Sequence, residues 1–286
     1  MVVYDILNES AKTLEAADIP SARLDAEILL SFCLGCDRLE FLKNPEIQLD
    51  QTQLTAFKKL INRRLRWEPV AYIIGHKNFW TFSLEVNKDV LIPRPDTEVI
   101  VEEILNISKK TVSTRIKILD IGTGSGAIAI ALACEIPHAS VMATDISLAA
   151  LDVARRNACS LGIQNQIDFR QGDLLEPVKG IFDIIASNPP YIGAQEYEEL
   201  PEGVRAFEPR EALLAGKSGL EFYEKLIYQA ESYLEKNGWL LLEIGARQEK
   251  DVRRIMETSG FYNNIEIRRD YAGLPRVIKA RRKVIG

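Results

Sequence analysis

The sequence predicts an α/β fold with a mostly parallel, doubly wound sheet, preceded by a small helical region. From Ile116 onward, short runs of apolar and β-branched residues alternate with stretches of helical periodicity, which is the pattern of such a sheet. Residues up to about 75 show helical periodicity instead. Between the two regions, residues 80–87 alternate apolar and polar side chains, as expected for a strand with one covered face.

The composition bounds the class of protein. The 286 residues suggest about two domains, and 47% hydrophobic residues suffice for a sizeable core. The net charge of −5 argues against whole-chain electrostatic attraction to nucleic acid. Asp5 and Glu9 stand where a signal peptide would be basic, and no long apolar run occurs, so we expect a cytoplasmic protein without a membrane span.

Four cysteines are too few to form a disulfide scaffold in a chain of this length, which favours a reducing compartment. Cys33 and Cys36 have the spacing of a metal knuckle, but no second pair accompanies them. The two histidines, His76 and His138, lie far away in sequence. We therefore expect free structural thiols and no metal site.

Three amphipathic helices are predicted in the first 75 residues. The first has an apolar face and ends at Asp18-Ile19-Pro20; the second follows Ser21 as N-cap; the third opens with a capping box of Asp50 and Gln53. The predicted apolar positions are, in chain order, Ile6, Leu7, Ala11, Leu14, then Leu24, Ile28, Leu29, then Leu54, Phe57, Leu60, Ile61 and Leu65.

The opposite face of the third helix carries four cations: Lys58, Lys59, Arg63 and Arg64. Such a face is either solvated or a docking surface for an acidic or RNA-bearing partner.

A β-hairpin is predicted between the helical region and the α/β region. Residues 80–87 form its first strand, residues 87–89 its turn and Val90-Leu91-Ile92 its second strand, and Pro93 and Pro95 end the pairing. A helix then begins near Asp96 and Glu98. The predicted domains are residues 1–75 (helical, substrate docking), 76–93 (hairpin linker) and 94–286.

The predicted strands of the last domain are residues 116–121, 141–146, 167–170, 181–186, 238–244, 264–268 and 276–280. The predicted helices are residues 127–134, 148–161, 220–234 and 251–258. Residues 193–218 show no clean periodicity, which indicates a lid or a substrate loop.

A glycine-rich turn (residues 122–126, the glycine turn) lies between the first strand and its helix. Its spacing, G-x-G-x-G, is neither the dinucleotide fingerprint nor a P-loop. Asp145 ends the second strand, where a carboxylate can take both hydroxyls of a ribose, and Asp173 follows the third, where it could meet an adenine amino group. With Asp120, these carboxylates favour a neutral or cationic nucleoside, although each alone could be a strand-end cap.

The segment Ser187-Asn188-Pro189-Pro190-Tyr191 (the proline hook) follows a strand that is predicted to be buried on both faces. Two prolines remove two N–H groups and fix φ twice, so the strand stops at Asn188. A carboxamide, two carbonyls and an aromatic ring are left at the carboxyl end of the strand, where ligands bind in open α/β sheets. The alternative is that Asn-Pro-Pro merely opens a loop.

Several motifs of the chain resemble those of a known family. Residues 120–126, Asp-Ile-Gly-Thr-Gly-Ser-Gly, are similar to the first motif of the S-adenosylmethionine-dependent methyltransferases. Asn188-Pro189-Pro190-Tyr191 resembles a second motif, which is found in the members of that class that methylate nitrogen. Four further motifs resemble the HemK/PrmC-type release factor glutamine N5-methyltransferases: Glu68-Pro69-Val70-Ala71-Tyr72, Phe79-Trp80, Ile92-Pro93-Arg94-Pro95-Asp96-Thr97-Glu98 and Glu208-Pro209-Arg210-Glu211-Ala212-Leu213. The resemblance covers essentially the whole chain.

This resemblance implies a helical N-terminal domain, a hairpin linker and a Rossmann-like domain with seven strands, one of them antiparallel. The implied substrate is the glutamine of the Gly-Gly-Gln loop of class-1 peptide-chain release factors, and the implied cofactor is S-adenosyl-L-methionine. The implied cofactor contacts are Gly122, Thr123, Gly124, Ser125, Gly126, Asp145, Asp173, Leu174 and Asn188. At Leu174 some relatives carry tryptophan.

The proline hook suggests how a glutamine amide could be methylated. Its nitrogen is a poor nucleophile, so orientation matters more than a strong base. In this hypothesis the Asn188 side-chain oxygen and the Pro189 carbonyl each accept one N–H of the substrate amide, and Tyr191 offers its ring face to it. Asn188, Pro189 and Tyr191 are the predicted catalytic residues, and Pro190 joins them as a predicted substrate contact.

Other functions remain open from the sequence. The same hook would serve a nucleic-acid adenine amino group, although residues 193–218 contain few cations for a nucleic-acid groove. Another glutamine, such as one in a ribosomal protein, is a closer rival. A cofactor-free module that binds translation factors, and a nicotinamide dehydrogenase, are less well supported, because the glycine turn, Asp145 and Asn188 are intact and the glycine spacing is wrong for a dinucleotide.

Overall fold

The computed structural model describes residues 2–110 and 115–284, and the chain divides into two units. The N-terminal unit reaches His76 and also includes Pro201–Phe207; the second unit contains Lys77–Leu200 and the chain from Glu208 onward. No single cut therefore separates the units. The predicted domain ranges also cover residues 1, 111–114, 285 and 286, which lie outside the described residues. No helix in the described ranges is long and apolar enough to cross a membrane.

The N-terminal unit begins with five helices: α1 (Val3–Glu15), α2 (Ala22–Leu34), α3 (Arg38–Lys43), α4 (Gln51–Arg64) and α5 (Val70–Ile74). The predicted face of α1 is buried at all four positions. The predicted capping box of α4 is present: the Asp50 carboxylate accepts from the Gln53 N–H, and the Gln53 side chain accepts from the Asp50 N–H. Phe57 and Ile61 of α4 are buried, and its other predicted apolar positions are half-buried.

The predicted face of α2 is partly wrong. Leu24 is 45% exposed, and the buried stripe runs instead through Ala22, Ala26, Leu29 and Leu30. These four residues have i, i+4, i+7, i+8 spacing, which a search for large apolar side chains overlooks because two of them are alanines. Ser21 occupies the N-cap, but its hydroxyl donates to the Asp25 carboxylate instead of accepting from a main-chain N–H.

The predicted basic face of α4 does not exist as a surface of four cations. Arg64 is buried, and its Nε lies 2.7 Å from a carboxylate oxygen of Asp25 in α2. Arg63 pairs with Glu68, their Nε and Oε2 atoms 2.8 Å apart. Only Lys58 and Lys59 are exposed, so periodicity alone misjudged two arginines that meet carboxylates in the folded unit.

The hairpin is formed, but the predicted strand 80–87 supplies its second strand and not its first. Its strands, β1 (His76–Phe79) and β2 (Phe82–Glu85), pair with each other, and Val90–Ile92 is not a strand. The chain reverses at Trp80, whose φ of 55° is left-handed. Because tryptophan is not a residue that favours this conformation, the sequence contained no turn signal there.

The core of the second unit is a seven-stranded sheet, as predicted. Its strands are, in spatial order, β10 (Tyr262–Arg269), β11 (Pro275–Arg282), β9 (Leu234–Glu243), β6 (Phe182–Ser187), β3 (Ile116–Ile121), β4 (Ala139–Asp145) and β5 (Ile167–Gln171). Strand β11 runs antiparallel to both its neighbours, and the other described pairings are parallel. In chain order the second unit continues with α6 (Glu98–Ser108), β3 (Ile116–Ile121), α7 (Ala127–Glu135), β4 (Ala139–Asp145), α8 (Leu148–Ser160), β5 (Ile167–Gln171) and β6 (Phe182–Ser187).

Residues 193–218, which were predicted to be a lid or a substrate loop, are not one continuous loop. They contain several short elements: β7 (Ile192–Gly193), α9 (Ala194–Glu198), α10 (Glu202–Phe207, in the N-terminal unit) and β8 (Leu214–Gly216), with β7 and β8 paired in parallel. Elements of two to six residues are too short to show a period. The chain ends with α11 (Glu221–Ala230), β9 (Leu234–Glu243), α12 (Glu249–Ser259), β10 (Tyr262–Arg269) and β11 (Pro275–Arg282).

Candidate active site

The sheet register brings the two main sequence motifs together. Ile121, the last residue of β3, is the register partner of Ser187, the last residue of β6. The glycine turn and the proline hook therefore leave the sheet side by side, at the carboxyl ends of adjacent parallel strands. This edge is where α/β sheets bind ligands.

A cavity at this edge is lined by most of the predicted site residues. These are Gly122, Thr123, Gly124, Ser125, Asp145, Asp173, Leu174, Asn188, Pro189 and Pro190. Of the predicted set, Gly126 and Tyr191 are not among the lining residues. Further lining residues include Asp89, Leu91, Arg94, Thr97, Glu211 and Phe222, which were not predicted as contacts.

The glycines of the turn have two different roles. Gly122 and Gly124 have left-handed φ values of 71° and 55°, and a Cβ added to either would meet no atom within 4 Å. Their backbone thus faces open space and is free for close approach by a ligand. Gly126 is different, because an added Cβ would lie 2.8 Å from Cδ1 of Ile130 and 3.2 Å from Cβ of Ala154. Gly126 is required by packing between α7 and α8.

Asp145 is fixed by main-chain donors. One carboxylate oxygen accepts from the N–H of Gly124 at 2.8 Å and the other from the N–H of Ser147 at 2.9 Å. Burial raises the pKa of the Asp145 carboxyl, these N–H groups lower it, and nearby Glu211 raises it. Since each carboxylate oxygen has more than one acceptor site, both can still accept hydroxyl protons from a ligand.

Asp120 lies beneath the glycine turn and does not line the cavity, contrary to the expectation that it would face the ligand. It is fully buried, and one of its oxygens accepts from the Thr123 hydroxyl at 2.6 Å and from the Ala129 N–H at 3.2 Å. Burial raises its pKa to about 7. Asp120 holds the turn in shape from below.

The charged residues of the cavity wall are mainly acidic. Four carboxylates, those of Asp89, Asp145, Asp173 and Glu211, line it together with one arginine. That cation, Arg94, lies 2.6 Å from the buried carboxylate of Glu208. Such a wall favours a cationic or neutral ligand over a pyrophosphate. Glu211 belongs to one of the motifs that resemble the family, residues 208–213, but nothing in that motif indicated that its side chain would reach the cavity.

The proline hook presents its carboxamide in a defined orientation. Nδ2 of Asn188 lies 3.2 Å from Oγ1 of Thr97, so the amide end of the side chain is already bonded. Oδ1 is the end left for a ligand in the cavity. Pro189 is buried, and neither proline has an N–H to occupy the neighbouring carbonyls.

Tyr191 is directed elsewhere. Its ring is near Gly245, where an added Cβ would lie 3.5 Å from Cδ2 of the ring, and its main-chain carbonyl accepts from Nε2 of Gln248 at 2.9 Å. Burial, and then the negative charge of Glu243, raise its pKa to about 12. The structure therefore brings Asn188, Pro189 and Pro190 to the cavity but not the Tyr191 ring.

Leu174 adopts a left-handed φ of 48° at the cavity wall, and its carbonyl accepts from the Thr144 hydroxyl at 3.3 Å. A residue with a branched side chain is strained in this region, and such strain is concentrated at functional sites. Asp173 and Leu174 both line the cavity.

Comparison with known proteins agrees with this geometry. A family model described as the PrmC N-terminal domain matches residues 5–75, and the methyltransferase small domain matches residues 97–201. A release factor glutamine methyltransferase of Koribacter versatilis is 39% identical over 284 residues, covering 99% of each chain. One of Coxiella burnetii is 44% identical over 263 residues, covering 91% of this chain and 92% of its own.

The chain belongs to the release factor glutamine methyltransferase family. The fold of this methyltransferase is also found in a solved methyltransferase from Pyrococcus furiosus, with a TM-score of 0.52 and 20% identity over 70% of this chain and 89% of that one. That likeness supports the sheet architecture predicted from the sequence.

Proposed function

We propose that this methyltransferase transfers a methyl group from S-adenosyl-L-methionine to the side-chain amide nitrogen (N5) of the glutamine in the Gly-Gly-Gln loop of class-1 peptide-chain release factors. One observation carries the proposal: the glycine turn and a pre-oriented Asn188 carboxamide open into the same cavity. The names of the relatives, release factor glutamine methyltransferases, support the same substrate class.

The residues of the cavity fit a cationic nucleoside. The open backbone of Gly122 and Gly124 would approach it closely, the Asp145 carboxylate would accept its ribose hydroxyls, and Asp173 and Leu174 would border its base. Thr123 and Ser125 complete this proposed contact set, with Gly126 acting through the shape of the turn. When bound, S-adenosyl-L-methionine supplies an electrophilic methyl group on a positively charged sulfur.

The proline hook would hold the substrate. Oδ1 of Asn188 and the main-chain carbonyl of Pro189 would each accept one N–H of the glutamine side-chain amide. Two acceptors fix the rotation of the planar amide and favour positive charge as it develops on the nitrogen. The proton can leave after transfer, so this scheme needs no strong base beside the hook.

Pro190 and Tyr191 complete the proposed substrate site in different ways. Pro190 lines the cavity and can touch the substrate directly. For Tyr191 we propose a contact with parts of the substrate that extend past Pro190, because its ring lies outside the cavity lining.

The proposed roles follow the predicted domains. Residues 1–75 dock the release factor, residues 76–93 link the two domains, and residues 94–286 catalyse the methyl transfer. The match of residues 5–75 to the PrmC N-terminal domain supports a separate role for this part of the chain. Because release factors act during translation termination, we propose the cytoplasm as the site of action.

The direct test incubates the protein with methyl-labelled S-adenosyl-L-methionine and a class-1 release factor, either intact or with alanine in place of the loop glutamine. We expect label only in the intact factor. Equal label in the altered factor would refute the substrate assignment, and label in a ribosomal protein or in nucleic acid under the same conditions would favour the corresponding rival.

A further inference from the structure

The segment that leads into α6 borders the cavity through Arg94 and Thr97. Residues 92–98 form a turn before α6, with a 3₁₀ helix at Pro95–Thr97. The turn is anchored on several sides: Arg94 pairs with Glu208 at 2.6 Å, Asp96 with Arg276 at 3.2 Å, and Glu98 accepts from the Trp80 N–H at 2.8 Å. Such anchoring makes the position of Thr97 well defined.

Thr97 connects Asn188 to a buried carboxylate. The Thr97 hydroxyl accepts from Nδ2 of Asn188 at 3.2 Å, and it lies close enough to the side chain of Glu243, the last residue of β9, to lower the pKa of that carboxyl. Thr97 is 4% exposed and Glu243 is 1% exposed. Oε2 of Glu243 is buried without a hydrogen-bond partner. A buried carboxylate this incompletely satisfied is costly and calls for an explanation.

A proton donated by Thr97 to Glu243 would fix the orientation of the Asn188 amide. A threonine hydroxyl has one proton to donate. When Glu243 is a carboxylate it can only accept, so the Thr97 hydroxyl would turn its proton toward Glu243. The Thr97 oxygen can then only accept from Asn188, which must turn its NH₂ end toward Thr97 and its Oδ1 toward the cavity.

We propose that Thr97 and Glu243 are positioning residues that select the reactive orientation of the Asn188 carboxamide. This inference rests on the proposed function and deepens it. The alternative orientation would present an NH₂ group to the NH₂ group of the substrate, so donor would face donor and the nitrogen would not be held. Neither positioning residue exchanges atoms with the substrate.

The inference implies a pH dependence. Burial raises the pKa of Glu243 to about 7, against the lowering effects of the Thr97 hydrogen bond and of Arg276 and Arg94. Asp96 raises it, and the phenols of Tyr191 and Tyr223 also face this carboxylate. Once protonated, Glu243 can donate to Thr97, which frees the Thr97 proton for Oδ1 of Asn188. Turnover should therefore fall as the pH falls through the pKa of Glu243.

The first test compares Thr97→Val, which removes the hydroxyl at nearly constant shape, with Thr97→Ser, which keeps it. Above the pKa of Glu243 we expect kcat on the release factor to fall between about ten- and a hundredfold in Thr97→Val, the scale expected for a misoriented reacting group. The KM for the release factor and the affinity for S-adenosyl-L-methionine should stay near the wild-type values. Thr97→Ser should keep most of the activity. Equal kcat in the two variants would overturn the inference.

The second test uses Glu243→Gln, which keeps a hydrogen-bond acceptor but does not titrate. We expect the decline of kcat on the acidic side, near the pKa of Glu243, to disappear in this variant. An unchanged acidic limb in Glu243→Gln would exclude Glu243 from the positioning role.

The third measurement does not depend on the substrate. In a ¹⁵N-labelled sample, the side-chain NH₂ signals of Asn188, assigned by their loss in Asn188→Asp, should exchange with solvent more slowly in the wild type and Thr97→Ser than in Thr97→Val. Equal exchange rates would contradict the hydrogen bond itself. A wild type that shows slow exchange yet never methylates a release factor would refute the proposed substrate while leaving the Thr97 contact in place.

Discussion

The Ser187 hydroxyl donates a hydrogen bond of 2.7 Å to the main-chain carbonyl of Ile121, at the point where β6 and β3 both end. Ser187 is 1% exposed, so water cannot replace this bond. The proline hook begins with Ser187 itself, and the glycine turn begins one residue beyond Ile121. The spacing between the proposed methyl-acceptor site and the proposed cofactor site is therefore tied to this contact.

Ser187→Ala is expected to lower the free energy of unfolding by about 1–2 kcal/mol, because a buried carbonyl loses a partner. It should also reduce kcat. Urea denaturation and a methylation assay measure the two effects. Ser160→Ala is the matched control, since the Ser160 hydroxyl bonds a main-chain carbonyl at an exposed helix end. Equal effects of the two substitutions would argue against a special role for the β3–β6 contact.

Gly122→Ala and Gly126→Ala should separate ligand approach from packing. Gly126→Ala combines left-handed strain with a contact of 2.8 Å to Ile130, so we expect a loss of about 2 kcal/mol or more in unfolding free energy. Gly122→Ala carries only the strain, about 1 kcal/mol, but extends a methyl group from the backbone that faces the cavity. Its main effect should be weaker binding of S-adenosyl-L-methionine, measured by calorimetry. The opposite ranking of stability losses would contradict these roles.

The ion pair between Arg64 and Asp25 should be essential to the N-terminal unit. Their side chains are only 11% and 8% exposed, so Arg64→Ala leaves a buried carboxylate without its cation. We expect a loss of about 3–5 kcal/mol in that unit, measured by chemical denaturation. Lys58→Ala, on the same helix but exposed, is the control and should change stability by less than about 0.5 kcal/mol. A mild effect of Arg64→Ala would mean that water reaches this pair.

The raised pKa of Asp120 predicts that the free energy of unfolding depends on pH. Its pKa is raised from 3.8 to about 7 by burial, so between these values the folded protein binds a proton that the unfolded chain has lost. The contribution of Asp120 to stability therefore falls as the pH rises through this window. Asp120→Asn should show a smaller decrease in unfolding free energy from the acidic to the neutral side than the wild type. Parallel stability curves for the two proteins would contradict the raised pKa.

The strands of the sheet, the glycine turn and the proline hook could be predicted because each depends on residues close together in sequence. Ile116–Ile121 and Phe182–Ser187 are short segments in which apolar residues predominate, and the glycines and prolines that follow them fix the chain locally. The resemblance of the motifs to a family added the implied substrate and the antiparallel strand of the sheet.

Features that depend on distant partners were missed. Arg64 is amphipathic, and only the folded unit shows that Asp25 neutralises it. Trp80 adopts a left-handed φ without any residue type that signals a turn. Thr97 comes close to Asn188 and to Glu243 only when the segments next to α6, β6 and β9 are assembled. A pattern among neighbouring residues does not predict contacts between residues that are distant in sequence.

The central claim is that the Asn188 carboxamide accepts an N–H of the substrate glutamine, and Asn188→Asp tests it most directly. Single-turnover methylation of a class-1 release factor should slow by about a hundredfold or more, because a carboxylate has no N–H to donate to Thr97 and so loses the contact that orients the side chain at position 188. Binding of S-adenosyl-L-methionine, measured on the same sample by calorimetry, should be largely kept. Wild-type single-turnover rates in Asn188→Asp would contradict the account.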